Sequence, residues 1–329
     1  MQYELIEKRF IIIKLIRDFF HSEGFTEVDT PLLCTSPGIE PYLEPFTTRC
    51  RFPGKKQKMY YLPYSPEFFM KRLLANGFNT IFQIAHCFRN EELSQFHQPE
   101  FLMLEWYRKN ATYLNLMEDV KKLFTYISSF SHFNKLQNSK EHNNLTLSWE
   151  YISVKELFLR YLNINLDHCK ESLPFYTQLI KAGIPVDPHF QNDWNTLFFS
   201  AFLNAIEPHL KGTAPLFITD YPASVSALAK TKSDDVFYAE RFELYINTIE
   251  IVNGCTELTD YQEHLQRYQQ CNAERTGSRK KPYPLDKVFL YAIKNDFPAS
   301  AGAALGIDRL IMLFLDQNNI SNIMPFPVY

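Results

Sequence analysis

The residue types best suited to chemistry are concentrated in CFRNEELSQFHQPEFLMLEWY, residues 87–107. A strand is predicted from Ile81 to Glu91, and side chains two residues apart on a strand share one face. Arg89 and Glu91 are therefore expected on the same face, together with the earlier members of that alternation, Gln83 and Cys87.

The next predicted strand adds Phe101, Glu105 and Tyr107 to one face, and the connecting loop carries His97. An arginine, carboxylates, a histidine and aromatic rings thus converge on one side of a hairpin. The alternative is a solvated sheet face with an ordinary Arg–Glu ion pair, which a lone R-x-E pattern would favour. The convergence of so many groups favours a functional site.

A second hairpin is predicted in ERFELYINTIEIVNGCTELTD, residues 240–260. A two-residue turn at Asn247-Thr248 would bring Glu243 diagonally opposite Glu250, at about 7 Å. Two carboxylates that close repel each other unless a cation or a substrate ammonium lies between them. Oxygen ligands of this kind suit Mg²⁺, which usually also binds substrate phosphates. The alternative is a charged, exposed hairpin.

The register of this hairpin decides where Asn253 points. The turn predicts that Tyr245 pairs with Glu250 and Leu244 with Ile251. Strict alternation then places Asn253 on the face opposite to Glu243, unless Gly254 marks a β-bulge. Both possibilities stay open.

The glycine-rich stretch AGAALGIDRL, residues 301–310, is not a P-loop, because the G-K-[ST] ending is missing. It is also a poor dinucleotide fingerprint, because the spacing is wrong and the chain offers no acidic residue at the required distance. Its small residues allow close approach to the backbone, and Arg309 is suited to hold a phosphate.

Composition and net charge argue against several classes of protein. The 329 residues carry a formal charge of −3 and are 46% hydrophobic, which argues against a protein whose main task is to coat nucleic acid. Charged residues interrupt the apolar N-terminus, so neither a signal segment nor a membrane span is expected. The 6 cysteines are scattered without a C-x-x-C pair, which predicts a reduced, cytoplasmic protein without a structural zinc site.

The elements that must position these residues follow from periodicity and from turn residues. Helices are expected from about Lys14 to Gly24, at 66–76, over Asn110–Phe130 and over 306–317, with a mainly helical section at about 148–212. Strands are expected at FTEVDTPLL (25–33), from Ile81, at EFLMLEWY (100–107) and in FYAERFELYINTIEIVNG (237–254). Residues 37–58 are predicted as loops and short strands, and the polar run 132–144 as a linker or surface insertion.

Together these segments resemble the catalytic core of class II aminoacyl-tRNA synthetases. GFTEVDTP resembles motif 1, which ends here at Pro31; FRNEE…HQPEF resembles motif 2; and GAALGIDR resembles motif 3. SPEFFMKRLL and IEIVNGCTELTD are similar to the lysine-specific branch. The resemblance implies one α+β catalytic domain over residues 1–329, a mostly antiparallel sheet flanked by helices, and a homodimer.

Within that class the chain looks more like the elongation factor P lysine ligases than like lysyl-tRNA synthetases. It begins almost directly at the motif 1 helix, so an OB-fold domain and anticodon recognition of tRNA are not expected. Phe96 stands before the motif 2 histidine where the synthetase typically has arginine, and Ala304 replaces the middle glycine of motif 3. Gln98 departs from both families, which usually have asparagine.

The resemblance implies roles for the matched residues. Arg89 would contact the α-phosphate of ATP, Glu91 the adenine amino group and His97 the terminal phosphates. Phe101 and Arg309 would enclose the adenine ring. The implied ATP-binding residues are Arg89, Asn90, Glu91, His97, Gln98, Phe101, Glu250, Ile251, Gly306 and Arg309, of which Arg89 and Arg309 are expected to be catalytic. The implied Mg²⁺ ligands are Glu243 and Glu250. The implied amino-acid pocket contains Ser65, Pro66, Glu67, Glu105, Tyr107, Asn253, Glu257 and Ala304.

The implied reaction is ATP-dependent activation of (R)-β-lysine or lysine, followed by transfer to a lysine side chain of elongation factor P with release of AMP. The two ammonium groups of the substrate explain the density of carboxylates. Two alternatives stay open: a compact lysyl-tRNA synthetase-like enzyme that acts on tRNA, and a catalytically inactive binding protein with the same fold.

Overall fold

The computed structural model describes residues 3–130, 148–212 and 214–328. The predicted linker at 132–144 lies outside these residues. The chain divides into two compact units, a first unit of Met1–Leu136 with Thr256–Tyr329 and a second unit of Gln137–Cys255. The expectation of one catalytic domain over the whole chain stays a prediction.

Helices and strands alternate irregularly along the described residues, as in an α+β fold. The α-helices are α1 (Tyr3–Ser22), α2 (Glu67–Ala75), α3 (Tyr113–Ser128), α4 (Val154–Leu162), α5 (Ser172–Lys181), α6 (Trp194–Ala201), α7 (Tyr261–Gly277), α8 (Lys287–Asn295) and α9 (Ile307–Phe314). The strands are β1 (Thr26–Glu27), β2 (Thr47–Cys50), β3 (Lys58–Tyr61), β4 (Thr80–Phe88), β5 (Glu100–Lys109), β6 (Glu150–Ser153), β7 (Leu216–Thr219), β8 (Arg241–Ile246), β9 (Ile249–Thr256) and β10 (Ser300–Gly306).

Each unit is built on a mostly antiparallel sheet. The first unit has the strand order β1-β4-β5-β10, and the second has β9-β8-β7-β6. Only the outermost pairs, β1 with β4 and β6 with β7, are parallel among these described pairings. This agrees with the predicted α+β class, a mostly antiparallel sheet flanked by helices.

Helix α1 forms because its apolar residues leave one solvated stripe. Ile12, Ile16 and Phe20 are fully buried, whereas Lys14 on the polar stripe is exposed. Gly24 follows the helix with φ +81°, a left-handed conformation that favours glycine. The predicted end of this helix is confirmed.

A buried ion pair joins α1 to the C-terminal part of the first unit. The Arg9 guanidinium donates to the Asp308 carboxylate, and both residues are at most 4% exposed. Asp308 also accepts from the backbone N–H of Leu102, at 2.7 Å. Asp308 therefore connects α1, β5 and α9.

The two predicted strands at the N-terminal motifs are shorter than expected. FTEVDTPLL contains only Thr26–Glu27 as strand, and Pro31 has no N–H with which to extend the ladder. Strand β4 ends at Phe88, and Glu91 has φ +68°. The expectation that Glu91 continues the alternation of Arg89 is therefore wrong, because a left-handed residue interrupts it.

The sheet of the first unit has two different faces. One face packs under α1, where Phe82 stacks on Phe20 with ring centroids 5.0 Å apart. The other face contains two rows of directly opposed residues across β4, β5 and β10. These rows are Gln83–Glu105–Ala304 and Ile81–Tyr107–Gly302.

The second unit contains the mainly helical section, and its core is formed by helices α4 to α6 against the sheet. Phe158, Phe175 and Phe198 are fully buried there. Asn247 and Thr248 have φ of +50° and +66°, which is the conformation of a two-residue type I′ hairpin turn. The predicted turn and the Tyr245–Glu250 pair are confirmed.

The predicted pairing of Leu244 with Ile251 is wrong. The register shifts after Tyr245, so that Leu244 pairs with Val252 and Glu243 with Asn253. The bulge therefore lies at Ile251, and not at Gly254. It turns Asn253 to the same face as Glu243, which settles the question left open by strict alternation.

Among residues 3–130, 148–212 and 214–328, no helix combines the length and the apolar character needed to cross a membrane. All 6 cysteines are free, and Cys34, Cys87, Cys169 and Cys271 are buried.

Candidate active site

The row Gln83–Glu105–Ala304 includes one of the carboxylates of the predicted amino-acid pocket, Glu105, and we call this row the pocket floor. Glu105 is 2% exposed and accepts from the Tyr107 hydroxyl at 3.0 Å. Burial, followed by repulsion from Glu67, raises the pKa of Glu105 to about 8, although the Ser65 and Tyr107 hydroxyls stabilise its ionised form. This carboxyl is thus poised to ionise when a cation arrives.

The pocket contains an internal cation that sequence reasoning missed, Lys71. Its side chain is fully buried, and its Nζ lies 2.5 Å from Glu67 Oε1 and 2.6 Å from Glu257 Oε2. The spacing of four residues between Glu67 and Lys71 on α2 could have indicated the first contact. The contact with Glu257 joins residues far apart in sequence, so no local pattern could indicate it.

Glycine is required at position 302 by the pocket itself. A Cβ added to Gly302 would lie 2.2 Å from Tyr107 Cε1 and 2.5 Å from Glu257 Oε1. Glu257 is fixed against β10 because its N–H donates to the Ser300 carbonyl at 2.9 Å. The first glycine of motif 3 therefore allows Tyr107 and Glu257 to meet over the sheet. The predicted ATP-binding residue Gly306 has no such restriction, since the nearest side-chain atoms to a Cβ there, within the described residues, would be those of Arg309, at 3.6–3.8 Å.

The start of α2 supplies the predicted residues Ser65, Pro66 and Glu67. The Glu67 N–H donates to Ser65 Oγ at 3.0 Å, and Pro66 precedes the helix with φ −76°, as proline permits at a helix start. This turn fixes the Glu67 carboxylate beside Lys71.

Arg89 lies beyond the end of β4 and is held there by the backbone. Its N–H donates to the Pro99 carbonyl at 2.9 Å, and its guanidinium lies 5.2 Å from the centre of the Phe101 ring. Its Nη1 is 3.6 Å from Glu92 Oε2. Its buried Nε has no hydrogen-bond partner within the described part of the chain. A buried donor of this kind on a cation is suited to an anionic ligand.

The neighbouring residue Asn90 is positioned by the loop that follows motif 1, and its Oδ1 accepts from the Glu91 N–H at 3.1 Å. The Asn90 N–H donates to the Glu44 carbonyl at 2.9 Å. Arg275, which is 1% exposed, binds the Leu43 carbonyl at 2.8 Å and the Glu44 carboxylate at 3.1 Å. Arg275 thus holds Leu43 and Glu44 in place, and Glu44 forms a β-bridge with Asn90. No sequence motif indicated this role of Arg275.

His97 and Arg309 contact each other directly. Arg309 Nη2 donates to His97 Nε2 at 2.5 Å, because a guanidinium can only donate. His97 Nδ1–H therefore donates to Ser94 Oγ at 2.7 Å. Arg309 Nε lies 3.5 Å from the Phe96 carbonyl. The two predicted phosphate-binding side chains are brought together as expected from the motifs.

The side-chain amide of Gln98 is held by the C-terminal segment. Its Nε2 donates to Ser321 Oγ at 3.3 Å, and its Oε1 accepts from the Val328 N–H at 3.0 Å. Gln98 is 3% exposed. These contacts are structural, and its contact with ATP stays a prediction.

In the second unit, Glu243 and Glu250 are linked by Asn253. Asn253 Nδ2 donates to Glu243 Oε1 at 3.3 Å and to Glu250 Oε1 at 3.5 Å, and Asn253 Oδ1 accepts from Arg241 Nε at 3.2 Å. The bulge at Ile251 makes this arrangement possible, and it places Ile251 itself in a buried position, 2% exposed. The predicted pair of carboxylates is therefore present on one face of the hairpin.

Glu243 is surrounded by donors that sequence reasoning missed. Arg241 Nη2 lies 2.5 Å from Glu243 Oε1, and the Tyr221 hydroxyl donates to Oε2 at 2.6 Å. Burial is the main cause that raises the pKa of Glu243 to about 7; Arg241 opposes it and Glu250 adds to it. The alternative of an exposed, charged hairpin is wrong for Glu243, which is 7% exposed.

This donor set fits Mg²⁺. Two carboxylates are hard oxygen ligands of the kind that Mg²⁺ takes, and the Asn253 Nδ2 holds both on one face of the hairpin. No group of three or more His, Cys, Asp or Glu side chains that could hold a metal occurs in the residues described. Mg²⁺ bound by Glu243 and Glu250 would therefore complete its shell with water or phosphate oxygens.

The structure thus brings the predicted site residues together within each unit. The first unit combines the amino-acid pocket (Ser65, Pro66, Glu67, Glu105, Tyr107, Glu257 and Ala304) and the motif residues Arg89, Asn90, Glu91, His97, Phe101 and Arg309. The second unit combines Glu243, Glu250 and Asn253.

Comparison with known proteins gives consistent matches. The model of the family described as "tRNA synthetases class II (D, K and N)" matches residues 1–329. A protein of Hamiltonella defensa named "Elongation factor P--(R)-beta-lysine ligase" is 37% identical over 326 residues, which cover 98% of this chain and 94% of that protein. Proteins of the same name from Proteus mirabilis and Pectobacterium carotovorum are 37% and 38% identical over 324 and 323 residues, again covering 98% of this chain and 94% of the relative.

These matches confirm the predicted class II synthetase core and the predicted ATP-dependent ligase. The motif residues Arg89, His97 and Arg309 lie in the same unit as the buried carboxylates Glu105 and Glu257, and Arg89 Nε has no hydrogen-bond partner within the described residues. The chain belongs to the class II tRNA synthetase family of the D, K and N type.

Proposed function

We propose that this protein activates (R)-β-lysine, or lysine, with ATP and transfers it to a lysine side chain of elongation factor P. The names of relatives that are 37% identical over 98% of the chain support this substrate and this acceptor. The structural observation that carries the proposal is the pocket of Glu67, Glu105 and Glu257, in which one lysine, Lys71, is the internal cation.

The charge of this pocket matches a substrate with two ammonium groups. Lys71 compensates one of the three carboxylates, so the pocket can reach a net charge of −2 when Glu105 ionises. Burial raises the pKa of Glu105 to about 8, so an arriving ammonium would draw its proton into solution. A monoammonium amino acid would leave one buried carboxylate without compensation, which is costly.

In the first step, an oxygen of the substrate carboxylate attacks the α-phosphorus of ATP. The bond between that phosphorus and the bridging oxygen breaks, and pyrophosphate leaves with the bonding electrons. Arg89 stabilises the charge that grows on the α-phosphate, and its unused Nε–H is one donor available for this. Arg309 and His97 hold the terminal phosphates. Catalysis then depends mostly on positioning.

In the second step, the ε-amine of the acceptor lysine attacks the carbonyl carbon of the aminoacyl adenylate. The bond from this carbon to the phosphate oxygen breaks, AMP leaves, and the amine loses one proton as the amide forms. The reaction needs no covalent enzyme intermediate.

Glu243 and Glu250 are the proposed ligands of Mg²⁺, with Asn253 fixing their separation. The metal ion, when bound, would offset phosphate charge. Glu91 would accept from the adenine amino group, and Phe101 would stack on the ring. Asn90, Gln98, Ile251 and Gly306 complete the proposed ATP site.

The test is pyrophosphate exchange with ATP, measured for (R)-β-lysine and α-lysine, followed by transfer assays that offer elongation factor P and tRNA side by side. We expect exchange with at least one lysine isomer and transfer to elongation factor P alone. Arg89→Ala should reduce exchange at least about 100-fold, the loss typical of one preorganised donor. Arg160→Ala, at an exposed position of α4, is the matched control. Transfer to tRNA would favour the synthetase alternative, and no exchange with any isomer would favour the binding protein.

Ala304 is proposed to select between the isomers. It lies directly opposite Glu105 in the sheet, so its methyl group occupies the pocket floor. One methyl group in a packed pocket changes discrimination by about 1–3 kcal/mol. Ala304→Gly should therefore raise α-lysine activation relative to (R)-β-lysine by about 10-fold; an unchanged ratio would mean that Ala304 serves packing only.

The remaining proposals concern assembly and location. The motif 1 resemblance supports a homodimer, without anticodon recognition of tRNA. The free cysteines and the acceptor protein support a cytoplasmic location. Size-exclusion chromatography with light scattering tests the first proposal.

A further inference from the structure

The pocket floor contains one polar side chain to which neither the motifs nor the comparisons assign a role, Gln83. It is 4% exposed and lies directly opposite Glu105 in the β4–β5 pair. Its Oε1 is buried and has no hydrogen-bond partner among residues 3–130, 148–212 and 214–328.

An acceptor in this state is unfavourable unless a ligand uses it. Removing a carbonyl oxygen from water without a new hydrogen bond destabilises the folded state, and such groups in native proteins call for an explanation. The neighbours of Gln83 explain why no protein donor satisfies it. Ala85, on the same face two residues along β4, is apolar, and Ile81, on the other side, belongs to the cluster around Tyr107.

The geometry points to the ligand. Directly opposed residues of an antiparallel pair have Cβ atoms about 5 Å apart, so Gln83 and Glu105 can contact the same small group. An ammonium has three N–H donors and no acceptor. As a carboxylate, Glu105 can accept a hydrogen bond from one of these N–H groups. The neutral Gln83 Oε1 beside it can accept from a second N–H group without adding charge.

We propose that Gln83 Oε1 accepts a hydrogen bond from the substrate ammonium that Glu105 binds, which makes Gln83 a specificity-determining residue of the amino-acid pocket. This inference rests on the proposed function, because it assumes a substrate with an ammonium group in this pocket. A glutamine at this position provides an acceptor, whereas a second carboxylate would add repulsion to a pocket that already contains Glu67, Glu105 and Glu257 around Lys71.

The test uses Gln83→Met, which keeps the length of the side chain and removes the acceptor. We expect the KM for lysine in pyrophosphate exchange to rise about 10- to 100-fold, as for the loss of a hydrogen bond to a charged group, while the KM for ATP changes less than twofold. Gln178→Met, on the exposed side of α5, is the matched control and should leave both constants unchanged.

Two analogues show whether the effect acts through an ammonium. Norleucine lacks the side-chain ammonium of lysine, and 6-aminohexanoate lacks the α-ammonium. Both analogues are measured as inhibitors of the wild-type protein and of Gln83→Met. The analogue that lacks the ammonium contacted by Gln83 should bind both proteins equally, and the other should bind Gln83→Met more weakly. An unchanged KM for lysine, or equal weakening of both analogues, would overturn the inference.

A second variant covers the case in which Gln83→Met does not fold. Gln83→Glu keeps an acceptor and places a carboxylate beside Glu105. The other polar and charged groups around Glu105 are Ser65, Tyr107, Glu67, Lys71 and Glu257. The pH at which lysine affinity rises should then move upward by about one unit. Equal effects of Gln83→Glu on the binding of norleucine and of 6-aminohexanoate would contradict contact between Gln83 and the ammonium. The proposed function fails separately, if the wild-type protein itself shows no exchange with any lysine isomer.

Discussion

The two carboxylate clusters of this protein, one in each unit, place their internal cation differently. In the amino-acid pocket, Lys71 lies between Glu67 and Glu257, and the donors described for Glu105 are the Tyr107 and Ser65 hydroxyls. In the hairpin, Arg241 contacts Glu243 itself. Burial raises the pKa of Glu105 to about 8 and that of Glu243 to about 7.

This difference shows how a protein adapts carboxylates to different ligands. In the pocket, Lys71 contacts Glu67 and Glu257 and lowers the pKa of Glu105 less than burial raises it, which leaves Glu105 as the group that we propose to receive a cation from the substrate. In the hairpin, Arg241 opposes the rise of the Glu243 pKa and so favours the ionised form that the proposed role as a Mg²⁺ ligand requires. The same residue type therefore acquires two roles from the position of one basic side chain.

The largest expected effect comes from the internal cation of the pocket. Lys71→Met would remove the ammonium that contacts Glu67 and the buried Glu257, and loss of one partner of a buried ion pair typically costs about 3–5 kcal/mol. Urea unfolding should show this loss in the free energy of unfolding. Lys181→Met, at an exposed position, is the control. A loss below 1 kcal/mol would remove the contrast between the clusters.

A pair of glycine substitutions tests how closely the pocket is packed. Gly302→Ala forces a Cβ to within 2.2 Å of Tyr107, and such overpacking costs about 1–3 kcal/mol. We expect kcat/KM for lysine to fall about 100-fold. Gly306→Ala, where the nearest atom would be 3.6 Å away, should change this constant less than fivefold. Equal effects of the two substitutions would show that the contact over Gly302 does not shape the pocket.

The pH dependence of substrate binding should identify Glu105. Below a pKa of about 8 this carboxyl is protonated, and an ammonium prefers the ionised form. Lysine affinity should therefore rise about 10-fold per pH unit up to about pH 8 and then level off, with release of a proton detectable by calorimetry in buffers of different ionisation enthalpy. Glu105→Gln should bind weakly with a flat profile.

The raised pKa of Glu105 also makes the stability of the fold depend on pH, and stability falls over the range in which lysine affinity rises. Because the folded state holds this proton more tightly than the unfolded state, the contribution of Glu105 to the free energy of unfolding falls as pH rises from its ordinary pKa of 4.5 to about 8. A Glu105→Gln variant whose stability kept the wild-type pH dependence in this range would assign the shift to another group.

The smallest expected effect concerns the hairpin. Glu250→Gln removes one charge from the proposed Mg²⁺ site and leaves the Glu243–Arg241 contact in place. The Mg²⁺ concentration that supports half-maximal pyrophosphate exchange should rise about 10-fold, the equivalent of about 1.4 kcal/mol. Glu240→Gln, near Lys230, is the control. An unchanged Mg²⁺ requirement would place the metal elsewhere.

The helices and strands were more predictable from the sequence than the register in which the strands pair. Apolar periodicity located α1, α2 and α3, since these helices bury one face. The strand alternation failed at Glu91 and Ile251, because a left-handed residue and a bulge each change the direction of the following side chains. Such local irregularities depend on tertiary contacts and occur often next to functional sites.

The site was predictable where its residues form motifs and unpredictable where they meet only in space. Arg89, His97 and Arg309 came from their motifs. Lys71 was missed because its partner Glu257 belongs to another segment. Gln83 was predicted on the face of Arg89 but was not assigned to the site, because burial without a partner is a property of the folded chain.

The ion pair between Arg9 and Asp308 has a consequence for synthesis on the ribosome. Its partners are 299 residues apart, and the first unit takes its sequence from both ends of the chain, whereas the second unit is continuous. The second unit can therefore finish folding while α1 still lacks a partner for its buried arginine. Phe20 of newly made α1 can pack on Phe82 early, whereas the buried Arg9 has to wait for Asp308, so we expect the first unit to reach its full stability only after residue 308 has emerged.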